Sequence, residues 1–254
     1  MSHNPYSPNP YASPNPGAGA YGQPGPALRP RSGPPASRRL QMKLGLTYAI
    51  GYVVVIWAVH LISLILFGGN LVYYGIHPLE PSSLPYIFTS PILHENFEHL
   101  ISNTVPGAVF AFLIGCSGHR VFWEVTAFVV CIGGLGTWLL GGPGTNHVGA
   151  SMLVYGWLAY LLVRGIFNRS AAQIAIGVVL GVIYSGLVWG VLPLDEGISW
   201  QAHLFGAIGG VAAGTVITSD DPPALRARKQ AKRAQKTQAA QAPQAGPGTR
   251  GFPH

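Results

Sequence analysis

The run Gly149-Ala150-Ser151-Met152-Leu153-Val154-Tyr155-Gly156-Trp157-Leu158-Ala159-Tyr160-Leu161-Leu162-Val163 places one serine behind two small residues at the head of an otherwise apolar segment. Nothing charged interrupts it, so it reads as a helix that lies in an apolar interior. A lone serine in such a helix is ordinarily a packing residue that bonds back to its own turn. Whether Ser151 is more than that depends on what the rest of the chain sets beside it.

The surroundings are equally apolar. Of 254 residues, 48% are hydrophobic and 9% charged, against about a quarter charged in a soluble domain. The apolar residues gather into six runs, at approximately 44–67, 97–116, 121–140, 150–167, 171–193 and 201–218. Each approaches the roughly 20 residues of helix that cross a hydrocarbon core of about 30 Å. The expected fold is an all-α membrane protein: a six-span bundle over 44–218 between two polar tails. Residues 1–43 are rich in Pro, Gly, Asn and Ser, with the near-repeat Asn4-Pro5-Tyr6, Asn9-Pro10-Tyr11, Asn15-Pro16-Gly17. Such a segment buries too little surface to offset its ordering entropy, so disorder with polyproline II character is expected. Residues 219–254 are polar and basic and are expected to be disordered as well. No charged head, apolar core and cleavage site follow one another at the N-terminus, so no cleaved signal is expected.

The basic residues fix an orientation. With both ends cytoplasmic, Arg29 to Lys43, Arg120 between spans two and three, Arg164 and Arg169 after span four, and the seven from Arg226 to Arg250 all lie inside. All 15 Lys and Arg then share one side, while the connections 68–96, 141–149 and 194–200 carry Glu80, Glu95, Asp195 and Glu196 and no Lys or Arg. This is the positive-inside pattern. The excess of basic charge therefore speaks for orientation and contact with anionic lipid, and no nucleic-acid module accompanies it. Cys116 and Cys131 are too few to be a disulfide framework and read as free packing thiols.

Orientation then sets depth. Spans two, four and six run inward, so His99 and Asn103, Ser151, and His203 all fall within the first turns at the outer side. Polar groups at membrane depth are costly and ordinarily face a bundle interior or wet cavity. A serine hydroxyl needs a base to become a nucleophile, and a neutral imidazole suits that task near pH 7. Ser151 and His203 supply the pair. His99 and Asn103, four apart on one helical face, are candidate donors to an oxyanion. No carboxylate stands at that depth, because the in-span Glu124 lies at the inner end of span three; a dyad without an acidic third member is expected.

These residues resemble the rhomboid intramembrane serine proteases. The resemblance rests on His94-x4-His99-x3-Asn103 in span two, Gly149-x-Ser151 opening span four, and Ala202-His203-x2-Gly206-x3-Gly210 in span six, and it covers the whole core. It implies Ser151 as nucleophile, His203 as general base, and His99, Asn103 and the Ser151 backbone N–H as oxyanion donors. Tyr155 corresponds to the aromatic that packs on the catalytic histidine, while Gly206 and Gly210 would let span six approach span four closely. The implied function is a serine endopeptidase that cuts transmembrane segments of membrane-protein substrates near the outer face, in a bacterial plasma membrane, without cofactor or metal. The alternative is an inactive rhomboid-like protein that binds membrane-protein clients in quality control. The sequence does not set an oligomeric state.

Three features depart from the family. Met152 stands where Gly usually follows the serine, and its Cβ is expected to narrow the oxyanion site or substrate pocket. The first outer loop lacks the common Trp-Arg pair, and Glu124 lies outside the usual acidic motif. The five-residue spacing of His94 and His99 turns them about 140° apart, which argues against an H-E-x-x-H zinc helix. His94 is expected to support the start of span two and His147 to be a loop residue. His60 reads as a hydrogen-bonded packing histidine. Pro106 is expected to free a carbonyl below Asn103, the apolar loop 68–96 to lie partly in the outer leaflet against the bundle, and the glycine-rich loop 141–149 to give flexibility beside the nucleophile.

Overall fold

A computed structural model of the chain describes residues 38–194 and 197–241. Among them are seven α-helices: α1 (Arg38–Phe67), α2 (Phe97–Cys116), α3 (His119–Leu140), α4 (Ser151–Asn168), α5 (Ala171–Ile183), α6 (Trp200–Val216) and α7 (Pro223–Gln241). No strand is found among the described residues; one isolated antiparallel bridge joins Ile76 to His147.

α1, α2 and α3 are each long and apolar enough to cross a membrane, and α5 with the 3-10 segment Ser185–Val191 makes a fourth candidate across a 70° bend. The break falls at Tyr184, just before the small pair Ser185-Gly186, and Ser/Gly pairs are ordinary sites of helix kinks. The sequence reading of six apolar spans is thus matched in length and composition by three helices, or four with the bent pair. α4 and α6 fall outside that set: Arg164 and Asn168 lower the apolarity of α4, and α6 is 17 residues long. The two helices meet at the centre of the bundle, where Ser151 to Leu158 of α4 are buried without a break.

Glycines set how closely that centre packs. A Cβ on Gly210 of α6 would fall 1.9 Å from the Gly156 carbonyl oxygen of α4, and one on Gly206 would fall 2.4 Å from that of Met152. The two backbones are in direct contact, which only small residues permit. Gly136 gives similar room on α3, where a Cβ would meet the Phe205 ring at 2.2 Å. α1 packs on α2, with Tyr52 filling the space over Gly107 and donating to the Asn103 carbonyl at 3.0 Å.

Hydrogen bonds outside the helices gather chain segments at two places. At one, Arg164 and Tyr160 of α4 bind Asp220, Arg164 also reaches Asp221 at 2.9 Å, and Ser219 donates to Glu124 of α3 at 2.5 Å. At the other, Leu79 N–H donates to the Trp138 carbonyl at 3.0 Å, Asn146 donates to the Val72 carbonyl at 2.8 Å, and Ile76 and His147 exchange both backbone bonds. The long connection 68–96 is therefore braced against α3 and against the segment that leads into α4. It exposes Tyr73 and Phe88, as an outer-leaflet face would.

Three sequence expectations are corrected. The N-terminal tail was bounded at residue 43, but the chain is already helical from Arg38; residues 1–37 lie outside the described residues. The stretch expected to be disordered from 219 carries α7, with Pro223 opening it and Ala, Lys, Arg and Gln, all good helix formers, through its length. Residues 242–254 lie outside the described residues. Arg164 is not in a connection: it is a residue of α4 with 3% of its surface exposed, neutralised by two carboxylates.

Candidate active site

A cavity of about 870 Å³ opens among α2, α4, the loop before α4 and the segment between α5 and α6. His99, Asn103, Ser151, Tyr155 and His203 all line it. Residues from three separate runs of sequence, assigned to one depth by charge counting, thus share one wall.

Ser151 is the first residue of α4. The turn before it is held from three sides. Gly149, at φ +121°, donates to the Ser90 carbonyl at 2.9 Å. A Cβ there would lie 2.4 Å from the His99 ring, so glycine is needed both for the backbone angle and for the imidazole against it. Ala150 N–H donates to His94 Nε2 at 3.3 Å. His94 lies behind the turn and does not line the cavity, which makes it a support for the turn that carries Ser151. Ala150 offers α4 no side-chain cap, so the first-turn N–H groups, that of Ser151 among them, are available to an anion.

His99 is placed by the N-cap of α2, where Asn96 Oδ1 accepts from its backbone N–H at 2.8 Å. Asn103 spends one amide hydrogen on the His99 carbonyl at 2.8 Å and keeps a second. Below it Pro106 removes the N–H that would bond Ser102, as the sequence suggested, and α2 continues through it.

His203 is packed under the ring of Tyr155, with centroids 4.1 Å apart and planes 8° from parallel. Its Nδ1–H donates to the Gly190 carbonyl at 2.7 Å. Ser151 makes no hydrogen bond to His203 among the described residues. Both face the cavity, and catalytic hydrogen bonds of unliganded sites commonly tighten only around a substrate.

Met152 is not where its expected effect requires. Its side chain is 2% exposed, does not line the cavity, and ends between α3 and α6, where a Cβ on Gly133 would meet its sulfur at 2.5 Å. Gly133 makes the room, so the residue after the serine packs helices together and stays off the cavity wall.

Two participants escaped the sequence reading. Gly190 was missed because a backbone acceptor has no side-chain signature. His147 was set aside as a loop residue; it lines the cavity, accepts from Ser199 at 2.6 Å and donates to the Gly141 carbonyl at 3.1 Å, tying the α3–α4 loop to the start of α6. That loop is therefore pinned, not flexible, beside the nucleophile. Burial, with the neighbouring imidazoles of His99 and His60, pushes His94 down to about 3, and burial lowers His147 too. Both are neutral scaffold groups near pH 7. His60 is buried and donates to the His94 carbonyl at 3.2 Å. Among the described residues no three His, Cys, Asp or Glu side chains converge as metal ligands.

Comparison with known proteins agrees with the architecture. The family model described as Rhomboid domain matches residues 81–220. Uncharacterized proteins of Mycobacterium bovis and Mycobacterium tuberculosis are each 39% identical over 203 residues, 77% of this chain and 84% of their own length. A third, from Mycobacterium leprae, is 39% identical over the same span and 80% of its length.

Proposed function

This chain belongs to the rhomboid family, a family of intramembrane proteases, and on that premise we propose that it is a serine endopeptidase that cuts transmembrane segments of membrane-protein substrates by a Ser151–His203 dyad. The observation that carries the reading is the single cavity lined by Ser151, His203, His99 and Asn103.

The chemistry follows from the tautomer. With its hydrogen on Nδ1, His203 presents a lone pair at Nε2 that takes the Ser151 proton as Oγ attacks the scissile carbonyl. The oxyanion that forms is met by the Ser151 backbone N–H, by the free Asn103 amide hydrogen and by His99; each such donor is worth roughly 3 kcal/mol in the transition state. His203 then returns the proton to the leaving amine, and water repeats the sequence on the acyl-enzyme. A peptide bond inside a helix is shielded, so the substrate must unwind at the cut, which favours segments with helix-weakening residues.

The bundle is proposed to span the membrane six times with both ends cytoplasmic, in a bacterial plasma membrane. The inner ends are then those joined by Arg164, Asp220 and Glu124, and the cavity opens outward, where water reaches it. Against the inactive client-binding alternative stand Ser151, His203, His99 and Asn103, all present on one cavity; the departure at Met152, the one point in its favour, packs on Gly133.

The test is reconstitution with a single-span substrate. Wild type should cleave it and be labelled at Ser151 by a fluorophosphonate, while Ser151→Ala and His203→Ala should do neither. Cleavage that survives either substitution refutes the dyad, and a folded wild type that neither cleaves nor labels favours the binding reading.

A further inference from the structure

A neutral imidazole carries one hydrogen and a carbonyl can only accept, so the 2.7 Å contact between His203 Nδ1 and the Gly190 oxygen assigns that hydrogen to Nδ1. The other nitrogen is thereby left as a base. In a serine triad a carboxylate performs this service; among the described residues no carboxylate bonds His203. Gly190 can perform it only as glycine. A Cβ at that position would lie 1.9 Å from the Tyr155 hydroxyl and 3.1 Å from His203 Nδ1, so the backbone reaches the imidazole through space that any side chain would fill. Tyr155, stacked on the same ring, holds its plane, while Gly190 holds its rotation and its tautomer. The two restraints come from different elements, α4 and the short segment Ser185–Val191 beyond the bend.

We propose that Gly190 is a positioning residue of the active site, its carbonyl holding His203 in the Nδ1–H form and its bare Cα admitting the Tyr155 ring that covers the imidazole. The proposal rests on the dyad reading above. It differs from a packing role in what it fixes: a packing glycine sets helix distance, whereas this one decides which imidazole nitrogen is basic.

The experiment is nitrogen NMR of histidine-labelled protein in micelles, with the His203 signals assigned by their loss in His203→Ala, together with the rate of Ser151 labelling and the kinetics of substrate cleavage. Wild type should show the Nδ1–H tautomer. Gly190→Ala should lose that single tautomer and slow both Ser151 labelling and kcat by about 10- to 100-fold, the scale of a misplacement near 1 Å, with KM little changed. Gly190→Ala combined with Tyr155→Phe, which removes the hydroxyl nearest the new methyl, should lose less than the two changes multiplied together. The wild-type tautomer decides the question even where Gly190→Ala does not fold. An Nε2–H tautomer in wild type overturns the proposal, as does Gly190→Ala labelled at the wild-type rate, or an effect confined to KM. An inactive wild type with the Nδ1–H tautomer would refute the protease reading and uphold the Gly190–His203 bond. An active wild type with the Nε2–H tautomer would do the reverse.

Discussion

Replacing Met152 tests whether the residue after the nucleophile shapes the site or the bundle. Its buried thioether lies where a Gly133 Cβ would be, 2.5 Å from the sulfur, 2.8 Å from Cγ and 3.2 Å from the Gly206 Cα. Met152→Ala removes three heavy atoms from a fully packed contact among α3, α4 and α6, at an expected cost of about 2–4 kcal/mol. Met152→Gly costs that much and about 1 kcal/mol more, because glycine is also a poor helix residue. Gly133→Ala alone overpacks the same space at about 1–3 kcal/mol. In Met152→Ala/Gly133→Ala the new methyl occupies the room the thioether vacates, so the double change should be at least about 1 kcal/mol less costly than the sum of the singles. Unfolding in mixed micelles, followed by tryptophan fluorescence, measures the four free energies of this cycle; Ser151 labelling reports the site. Additive single effects would show that Met152 and Gly133 are not in contact. Met152→Gly with full stability and raised activity would return the residue to the oxyanion wall, where its place in the sequence suggested it belongs.

Other expectations follow from the same contacts. Gly210→Ala drives a methyl into the Gly156 carbonyl at 1.9 Å, so α4 and α6 must part by roughly 1 Å and labelling of Ser151 should fall about 100-fold, whereas Gly51→Ala, mid-helix in α1 with nothing within 4 Å, should leave labelling unchanged and stabilise by up to about 1 kcal/mol. Arg164→Ala strands Asp220 and Asp221, whose side chains are 5% and 1% exposed, and should cost about 3–5 kcal/mol in micelle unfolding, with faster tryptic cutting in α7, where Lys229 bonds Asp221 at 2.7 Å; unchanged stability would refute the clamp. His94 and His147 have folded-state values below the ordinary 6.5, so the unfolded chain binds the extra protons. Stability should be complete above about pH 6.5 and fall below it, by up to about 1.4 kcal/mol per pH unit for each histidine, down to about pH 3 for His94. A flat profile between pH 6.5 and 4 would mean that these imidazoles are not buried neutral.

Much of the site was legible because its chemistry uses side chains with distinct roles. Ser151, His203, His99 and Asn103 are the polar exceptions in apolar runs, and a polar group at membrane depth must have a use. Tyr155, Gly206 and Gly210 were reached through the resemblance, and the stack on His203 and the backbone contacts with α4 give them physical content. The readings that failed share a cause. Arg164 and α7 were assigned by local polarity, but two carboxylates from beyond α6 pull the arginine into the bundle, and a polar sequence rich in helix formers need not be irregular. Met152 was judged by its neighbour in the chain, although a helix turns each successive side chain by about 100° and so carries it away from the cavity.

Composition and the placement of charge determined by themselves that the chain is an all-helical membrane protein, and depth, chemical type and the family resemblance together singled out Ser151, His203, His99 and Asn103 as candidates, because solvation cost and chemical type are properties of single residues. The tertiary structure decided what depends on two segments meeting. Gly133 makes Met152 a packing residue, His94 and His147 fasten the nucleophile's turn and loop, and the Gly190 carbonyl sets the tautomer of His203. These are contacts of backbone atoms and empty Cα positions, and a backbone carbonyl looks the same at every residue until the fold aims it.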